Sequence, residues 1–536
     1  MFENISYKKM FIIMLGVVAF SFFFNLSIQE ADIMEARNFI TAREMVSDGN
    51  WLIPTMNGNV RIEKPPLPTW ITAAAYKLGD GEKNTGILRI PAAIFTSLMI
   101  FLFFGLIITL TKNKSLSFIS SIVLATSFLI IKMGKTGSWD IYTNVFTVGA
   151  LYFLLKSREK TIYSCIAGIS LGLAIMSKGP VSIFAIFIPF IISYIITYKV
   201  NIKKISLMKT VVFILTTLFI GGMWYFYIYG VHSEIALKVA TVESTSWLDK
   251  HTKPFWYYWH FVVFSGIWVV FGIASLIKNK MENIVEDKKN YKFTLIWMLI
   301  SLLLLSLLPE KKERYLLPVV IPMAFLIGQF IAGIYDNYKN SSKFVSVTLK
   351  LHLFIMSFIS LGIPMFIVVK KYKIEGNISI VLVFTVLIYL LILGLLIKIF
   401  KKLEIKRIFI LTTFLMLFSN IVFTKVYIEN VMMRQNKIYK NLSEIKNSEI
   451  LKNLSVYSFE NIEIQNVWRI GGKIEKITFE KTDGLNYPIA VLCSENELRD
   501  VKMKLSNKLK IIEEYTFFEN EKSLKKVILL KVNKKI

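Results

Sequence analysis

Three acidic residues, Glu30, Asp32 and Glu35, stand together in the stretch EADIMEARNFITAREM. On a helix Asp32 and Glu35 share one face at i, i+3. A carboxylate there can serve as the general base that deprotonates an acceptor hydroxyl; the same pattern also suits an ordinary helix start, where acids are favoured by the dipole. In Glu63-Lys64-Pro65-Pro66 the prolines fix the backbone. Lys64 then either meets a phosphate as a point charge or snorkels to lipid headgroups. Asp140 follows Ser138-Trp139 at the start of an apolar run. It is a functional candidate, as ionisable groups at membrane depth are, or else a water-exposed helix cap. Lys178-Gly179-Pro180 is explained by turn chemistry alone. His251 precedes the aromatic run Phe255-Trp256-Tyr257-Tyr258-Trp259. With Glu63 it would make a thin metal site whose other positions are open to water or substrate; alone it is a polar interface residue. Finally, Pro309 to Pro318 reads PEKKERYLLP, so Lys311, Lys312 and Arg314 crowd one short turn. Cations so placed suit an anionic lipid phosphate.

The elements that must carry these residues are membrane spans. Of 536 residues, 54% are hydrophobic and only 19% charged, against about 25% charged in a soluble domain. Two cysteines exclude a disulfide scaffold and a Cys-rich zinc module. The net charge of +27 would suit nucleic acid, but in a membrane protein it belongs to basic loops facing anionic lipid. Apolar runs at about 10–26, 90–111, 115–132, 139–155, 162–177, 180–198, 210–229, 257–277, 293–308, 315–334, 345–369, 378–399 and 408–425 give about 13 transmembrane helices. With the N-terminus in the cytoplasm, the basic segments at Lys112–Lys114, Lys156–Lys160, Lys199–Lys204, Lys278–Lys292, Lys339–Lys343 and Lys401–Arg407 all fall inside. Lys370 to Lys373 breaks that pattern. The first loop, 30–89, and the tail, 426–536, fall outside. The fold class is therefore an all-α polytopic membrane protein, residues 1–425, with a small C-terminal α/β extracytoplasmic domain. In that tail Met433–Leu454 and Glu495–Ser506 read as helices, and Ser455–Phe459, Ile474–Phe479, Ile489–Cys493 and Val527–Val532 as strands.

Several motifs together resemble the bacterial aminoarabinose transferase (ArnT-like) family, which is related to the protein O-mannosyltransferases in the glycosyltransferase C (GT-C) superfamily. They are EAR at 35–37, REM at 43–45, GNWLIPTMNG at 49–58, EKPPLPTW at 63–70, Trp139-Asp140, Lys178-Gly179, HTKPFWYY at 251–258 and KKERYLLP at 311–318. The resemblance implies a GT-C fold and a polyprenyl-phosphate-linked sugar donor. It also implies inverting transfer, on the outer face of the bacterial inner membrane, to a lipid A-like lipid, another envelope glycan or a protein. By position it implies that Lys64, Lys311, Arg314 and Tyr315 bind the donor phosphate, that Glu63 and His251 match a divalent metal site (Zn or Mg/Mn), and that Asp140 is a second cavity carboxylate. No nucleotide cofactor and no nucleic-acid partner are expected. Two positions depart from the family. Its Asp before the conserved Glu falls on Met34, so either Glu35 takes that role or Asp32 reaches in from one turn earlier. Its Arg ahead of the His-Pro-Phe-Trp run has no clear match in Glu243 to Trp247.

The competing reading is a transporter or lipid-linked-sugar flippase. That would place paired repeats and charges along the spans, with broken helices at the midplane. The charges here cluster at the helix ends instead, which suits surface chemistry.

Overall fold

A backbone without water around it must satisfy its own hydrogen bonds, and in the computed structural model a helix underlies every apolar run. The structure describes residues 1–79, 81, 84–201, 205–235, 237, 241, 252–336, 343–375, 380–423, 454–459, 462–478, 485–506, 509–518 and 526–534. Among them eight helices are long and apolar enough to cross a membrane, nine if one bent pair counts as a span. The others are shorter, such as α1 (Tyr7–Phe22), α7 (Asp140–Lys156) and α8 (Ile162–Lys178). The chain is a multi-span, mostly helical membrane protein.

Three runs are less regular than hydropathy implies. The run at 115–132 is two helices, α5 (Lys114–Ala125) and α6 (Phe128–Gly134), bent by 63°. At the bend the Thr126 and Ser127 hydroxyls donate back to the Ile122 and Val123 carbonyls, at 2.7 and 2.8 Å, which loosens the helical ladder. Around Pro189, which lacks an N–H, Ile183–Phe187 widens into a π-turn before the helix Ile188–Tyr198. The 257–277 run winds tightly over Phe255–Trp268 and turns at Gly266, whose φ of 69° only glycine adopts readily. The helix Lys343–Glu375 continues through Lys370 to Lys373, so these residues extend a span.

The described residues of the basic turns gather at one end of the bundle. There the Met1 amino group lies 4.0 Å from Asp336, Phe2 N donates to Ser115 Oγ, and Lys406 covers the Phe2 ring. Lys209 donates to the Ser157 carbonyl and Lys289 covers Tyr198 at the same end. The opposite end carries helix α2 (Ile33–Asp48), a hairpin of β1 (Thr55–Met56) and β2 (Asn59–Val60), helix α3 (Leu67–Gly79), and the start of α4 (Thr85–Thr111). The hairpin turns through Asn57-Gly58, both at positive φ, the favoured two-residue hairpin turn. Buried Glu44 holds that turn by accepting from Thr55 Oγ1, Asn57 N and Gly58 N.

The tail forms a five-stranded sheet ordered β4-β3-β5-β7-β6: β3 (Val456–Ser458), β4 (Ile474–Lys476), β5 (Ile489–Ser494), β6 (Leu509–Phe518) and β7 (Lys526–Lys534). β3 runs parallel to β4 and β5, while β7 is antiparallel to β5 and β6. All four expected strands are present; β6 was not expected. Its Glu513-Glu514 pair and the bulge after Ile511 spoil the period-2 pattern. The stretch Glu495–Ser506 forms a helix over Leu498–Ser506, whereas 433–453 of the other expected helix lie outside the described residues. The sheet is not separate from the rest. Val456, Val467, Trp468 and Leu529 share one apolar core with Ala36, Phe39, Ile40 and Leu88.

Candidate active site

Asp140, Lys178, Arg314 and Tyr315 come together at the end of the bundle away from the basic turns. Asp140 is the first residue of α7 and is buried. Lys178 is the last residue of α8, which stops there because Gly179 adopts φ 76° and ψ −159°, a region open only to glycine. Its ammonium is ion-paired with Asp140 Oδ1. Arg314, in the turn before the helix Leu317–Asp336, places Nε 3.4 Å from Asp140 Oδ2. That Nε is buried and makes no hydrogen bond among the described residues. The Lys178 ammonium stands 4.4 Å and the Arg314 guanidinium 5.6 Å from the centre of the Tyr315 ring, within cation–π reach. Lys64 acts electrostatically on both Asp140 and Lys178, and it is held ahead of α3 by the buried Pro65 and Pro66. One carboxylate is thus surrounded by three cations.

Asp32 and Glu35 part company. Asp32 caps α2: its Oδ1 accepts from Met34 N at 2.7 Å and Glu35 N at 2.9 Å. The residue is open to solvent on one side and crowded by protein on the others. That crowding, and then the Glu35 charge, raise its carboxyl above the ordinary carboxylate range, against the two N–H bonds and Arg314. Arg314 therefore lies in the field of both Asp32 and Asp140. Glu35, by contrast, is fully buried and spoken for. It accepts from Arg89 Nε at 2.7 Å, Arg89 Nη2 at 2.8 Å and Gly137 N at 2.8 Å, and reaches back to Asp32 N at 3.3 Å. The expectation that Glu35 could be the base is corrected: a carboxylate with both oxygens held in a buried ion pair has no lone pair facing an acceptor.

Lys311 needs a similar correction. Its buried ammonium donates to the Lys253 carbonyl at 3.0 Å and to the Leu308 carbonyl, and burial lowers its pKa. It ties two turns together and does not face a phosphate. The same lacing includes a bridge between Thr252 and Glu310, Lys253 N to Pro309 O at 3.1 Å, and Tyr258 Oη against the Lys312 backbone at 3.2 Å. So residues 252–258 and the motif KKERYLLP form one unit that aims Arg314 and Tyr315. Glu63 is 39% exposed with Arg61 Nε at 3.7 Å, and His251 lies outside the described residues. Among the described residues no three His, Cys, Asp or Glu side chains gather where a metal ion could be held.

Two site residues fall outside the candidates that the pattern offers for chemistry: Lys178, which turn chemistry alone explains, and Arg89, which closes the first loop. A lysine at the very end of an apolar helix, beside a Gly-Pro stop, was the available signal for the first. Arg89 at the threshold of an apolar run was the signal for the second.

A family model for dolichyl-phosphate-mannose-protein mannosyltransferases matches residues 63–224, which hold Lys64, Asp140 and Lys178. An uncharacterised protein of Aquifex aeolicus is 25% identical over 334 residues, 60% of this chain and 64% of its own. The undecaprenyl phosphate-alpha-4-amino-4-deoxy-L-arabinose arabinosyl transferase of Shewanella sediminis is 25% identical over 329 residues, 58% of each chain. The chain thus matches about three fifths of the length of these relatives. The crystal structure of ArnT from Cupriavidus metallidurans bound to undecaprenyl phosphate superposes with a TM-score of 0.72 over 98% of both chains at 13% identity. The chain resembles the ArnT-like transferases in sequence and in fold. The resemblance seen in the motifs is thus also found in relatives over about three fifths of the chain, and the structural likeness covers 98% of it.

Proposed function

We propose that this protein is a membrane glycosyltransferase that moves a sugar from a polyprenyl-phosphate donor to an envelope acceptor, a lipid A-like lipid, a glycan or a protein. The observation that carries the proposal is the trio Lys178, Arg314 and Lys64 around buried Asp140, with the Arg314 Nε buried and without a hydrogen-bond acceptor among the described residues. A site with more cations than anions, at the membrane-surface end of a bundle, suits a lipid phosphate. As the sugar–phosphate bond breaks, negative charge grows on the phosphate oxygens, and fixed cations stabilise it without reorganising. Asp32, across Arg314, takes the proton of the acceptor hydroxyl. Attack from the face opposite the leaving phosphate inverts the anomeric carbon. The gathered basic turns lie in the cytoplasm by the positive-inside rule. The site, the 30–89 loop and the C-terminal domain from residue 426 are then extracytoplasmic, with about 13 crossings between. A divalent metal at Glu63 and His251 is carried by the resemblance alone, and no step above depends on it.

The test is transfer by the purified full-length protein in lipid nanodiscs, offered undecaprenyl-phosphate-linked sugars and envelope extract. Product should form with wild type and be lost with Arg314→Ala. Movement of the donor across the bilayer with no glycosylated product would overturn the proposal in favour of a flippase.

A further inference from the structure

The residues just before Asp32 are held from two sides. On the bundle side, buried Arg89 spends all five N–H donors on this turn. Two go to Glu35, two from Nη1 to the Leu26 and Gln29 carbonyls, and one from Nη2 to the Glu30 carbonyl at 3.2 Å. On the other side stands the short helix Ile464–Ile470 of the C-terminal unit. Its Arg469 Nη2 lies 2.7 Å from Glu30 Oε2, with Nη1 at 2.8 Å from Asn466 Oδ1. Gln465 Nε2 donates to the Ala31 carbonyl at 3.4 Å, and Trp468 packs on Phe39 at 5.3 Å between ring centres. Further along, the Asn57 side chain exchanges two 2.8 Å hydrogen bonds with the Ile474 backbone, as an extra strand residue would on the β4 edge.

Glu30 and Ala31 immediately precede Asp32, so whatever fixes them fixes the direction of the Asp32 carboxylate. We infer that the C-terminal unit is part of the catalytic apparatus, and that Arg469, through Glu30, is a positioning residue for Asp32. The arrangement gives the tail a task in the reaction itself. The backbone between α1 and the Asp32 cap is pinned between Arg89 and Arg469. The contacts of Arg469 and Glu30 described above involve none of Lys64, Lys178 and Arg314, so the expectation is that losing the pair leaves donor binding intact. A loosened base of this kind costs turnover, because misplacement of about 1 Å can cost up to roughly a hundredfold in rate.

This inference rests on the proposed transferase reading, and its test separates the two. Full-length Arg469→Met, Arg469→Lys, Glu30→Gln and the double variant Arg469→Met/Glu30→Gln are compared in nanodiscs with the donor that wild type uses. Turnover and donor KM are measured together with hydrogen exchange over residues 26–48. The expected result is a kcat about tenfold to a hundredfold lower for Arg469→Met with donor KM unchanged and faster exchange at 26–35. Arg469→Lys should recover most of the turnover, and the double variant should be no worse than either single one. Normal kcat in Arg469→Met with active wild type overturns the inference. So does a loss in which donor KM rises in step, or one that Arg469→Lys does not recover. Wild type inactive with every polyprenyl-phosphate donor overturns the transferase reading, and the positioning role falls with it.

Discussion

Arg314 Nε lies 3.4 Å from Asp140 Oδ2 and yet, though buried, donates no hydrogen bond among the described residues. The ion pair holds the guanidinium in place without consuming its donor. A buried donor left in this state costs stability, and a phosphate oxygen would relieve it. Arg314→Ala should therefore lower transfer about a hundredfold to a thousandfold, the loss typical of one missing charge-stabilising donor. Arg314→Lys should recover only part, because a point charge lacks the planar fork. Initial rates with saturating donor check both. By contrast Lys311→Met should leave the rate within a few-fold of wild type while lowering Tm, since its ammonium serves the Lys253 and Leu308 carbonyls.

Asp32 offers a test in which activity and stability move apart. Crowding and the Glu35 charge raise its folded pKa above that of the unfolded chain. In the window between those two values the folded state holds a proton that the unfolded state has released. Stability therefore falls as pH rises through the window, and the cost is fully present above the folded value. Asp32→Asn removes that cost and retains a good helix cap. Its Tm at neutral pH should be no lower than wild type, while transfer drops about a hundredfold or more, as for a lost general base. In wild type, kcat should fall on acidification at a pH above the ordinary carboxylate range, and a pH–rate profile checks this.

Glu35 should behave in the opposite way. Glu35→Ala leaves Arg89 buried without its carboxylate, and breaking such a pair costs about 3–5 kcal/mol. The expected outcome is a large fall in Tm and in yield, with activity per folded molecule reduced less than in Asp32→Asn. Thermal unfolding and active-fraction titration separate the two. Selective silencing of transfer by Glu35→Ala, with normal Tm, would return the base to Glu35.

What could be seen in the linear chain, and what could not, divides along contact distance. Apolar runs and the Pro65-Pro66 brace are local, and each stands where its neighbours dictate. The partner of Glu35 is Arg89, 54 residues on, and the partner of Asp140 is Lys178, 38 residues on. Neither pairing has a local signature, so Glu35 looked as available as Asp32, and Lys178 looked like part of a turn. The bend at Thr126-Ser127 was hidden for another reason. Hydropathy averages over a window and does not register two hydroxyls that bond backwards.

Asp140 should prove to be a brake on phosphate binding as well as an organiser of the cations. In Asp140→Asn, Lys178 and Arg314 lose the charge they share, and the cluster becomes more positive. The lipid phosphate left after sugar transfer then binds more tightly in both ground state and product complex. Tight binding shared by ground state and transition state does not speed the chemical step, and the cations, no longer aimed, stabilise the developing charge less well. Undecaprenyl phosphate should therefore inhibit Asp140→Asn at lower concentration than wild type, with donor KM lower and kcat down about tenfold or more. The measurement is product inhibition at several donor concentrations. Weaker inhibition in the variant would show that Asp140 helps hold the phosphate, and not that it balances the cations that do.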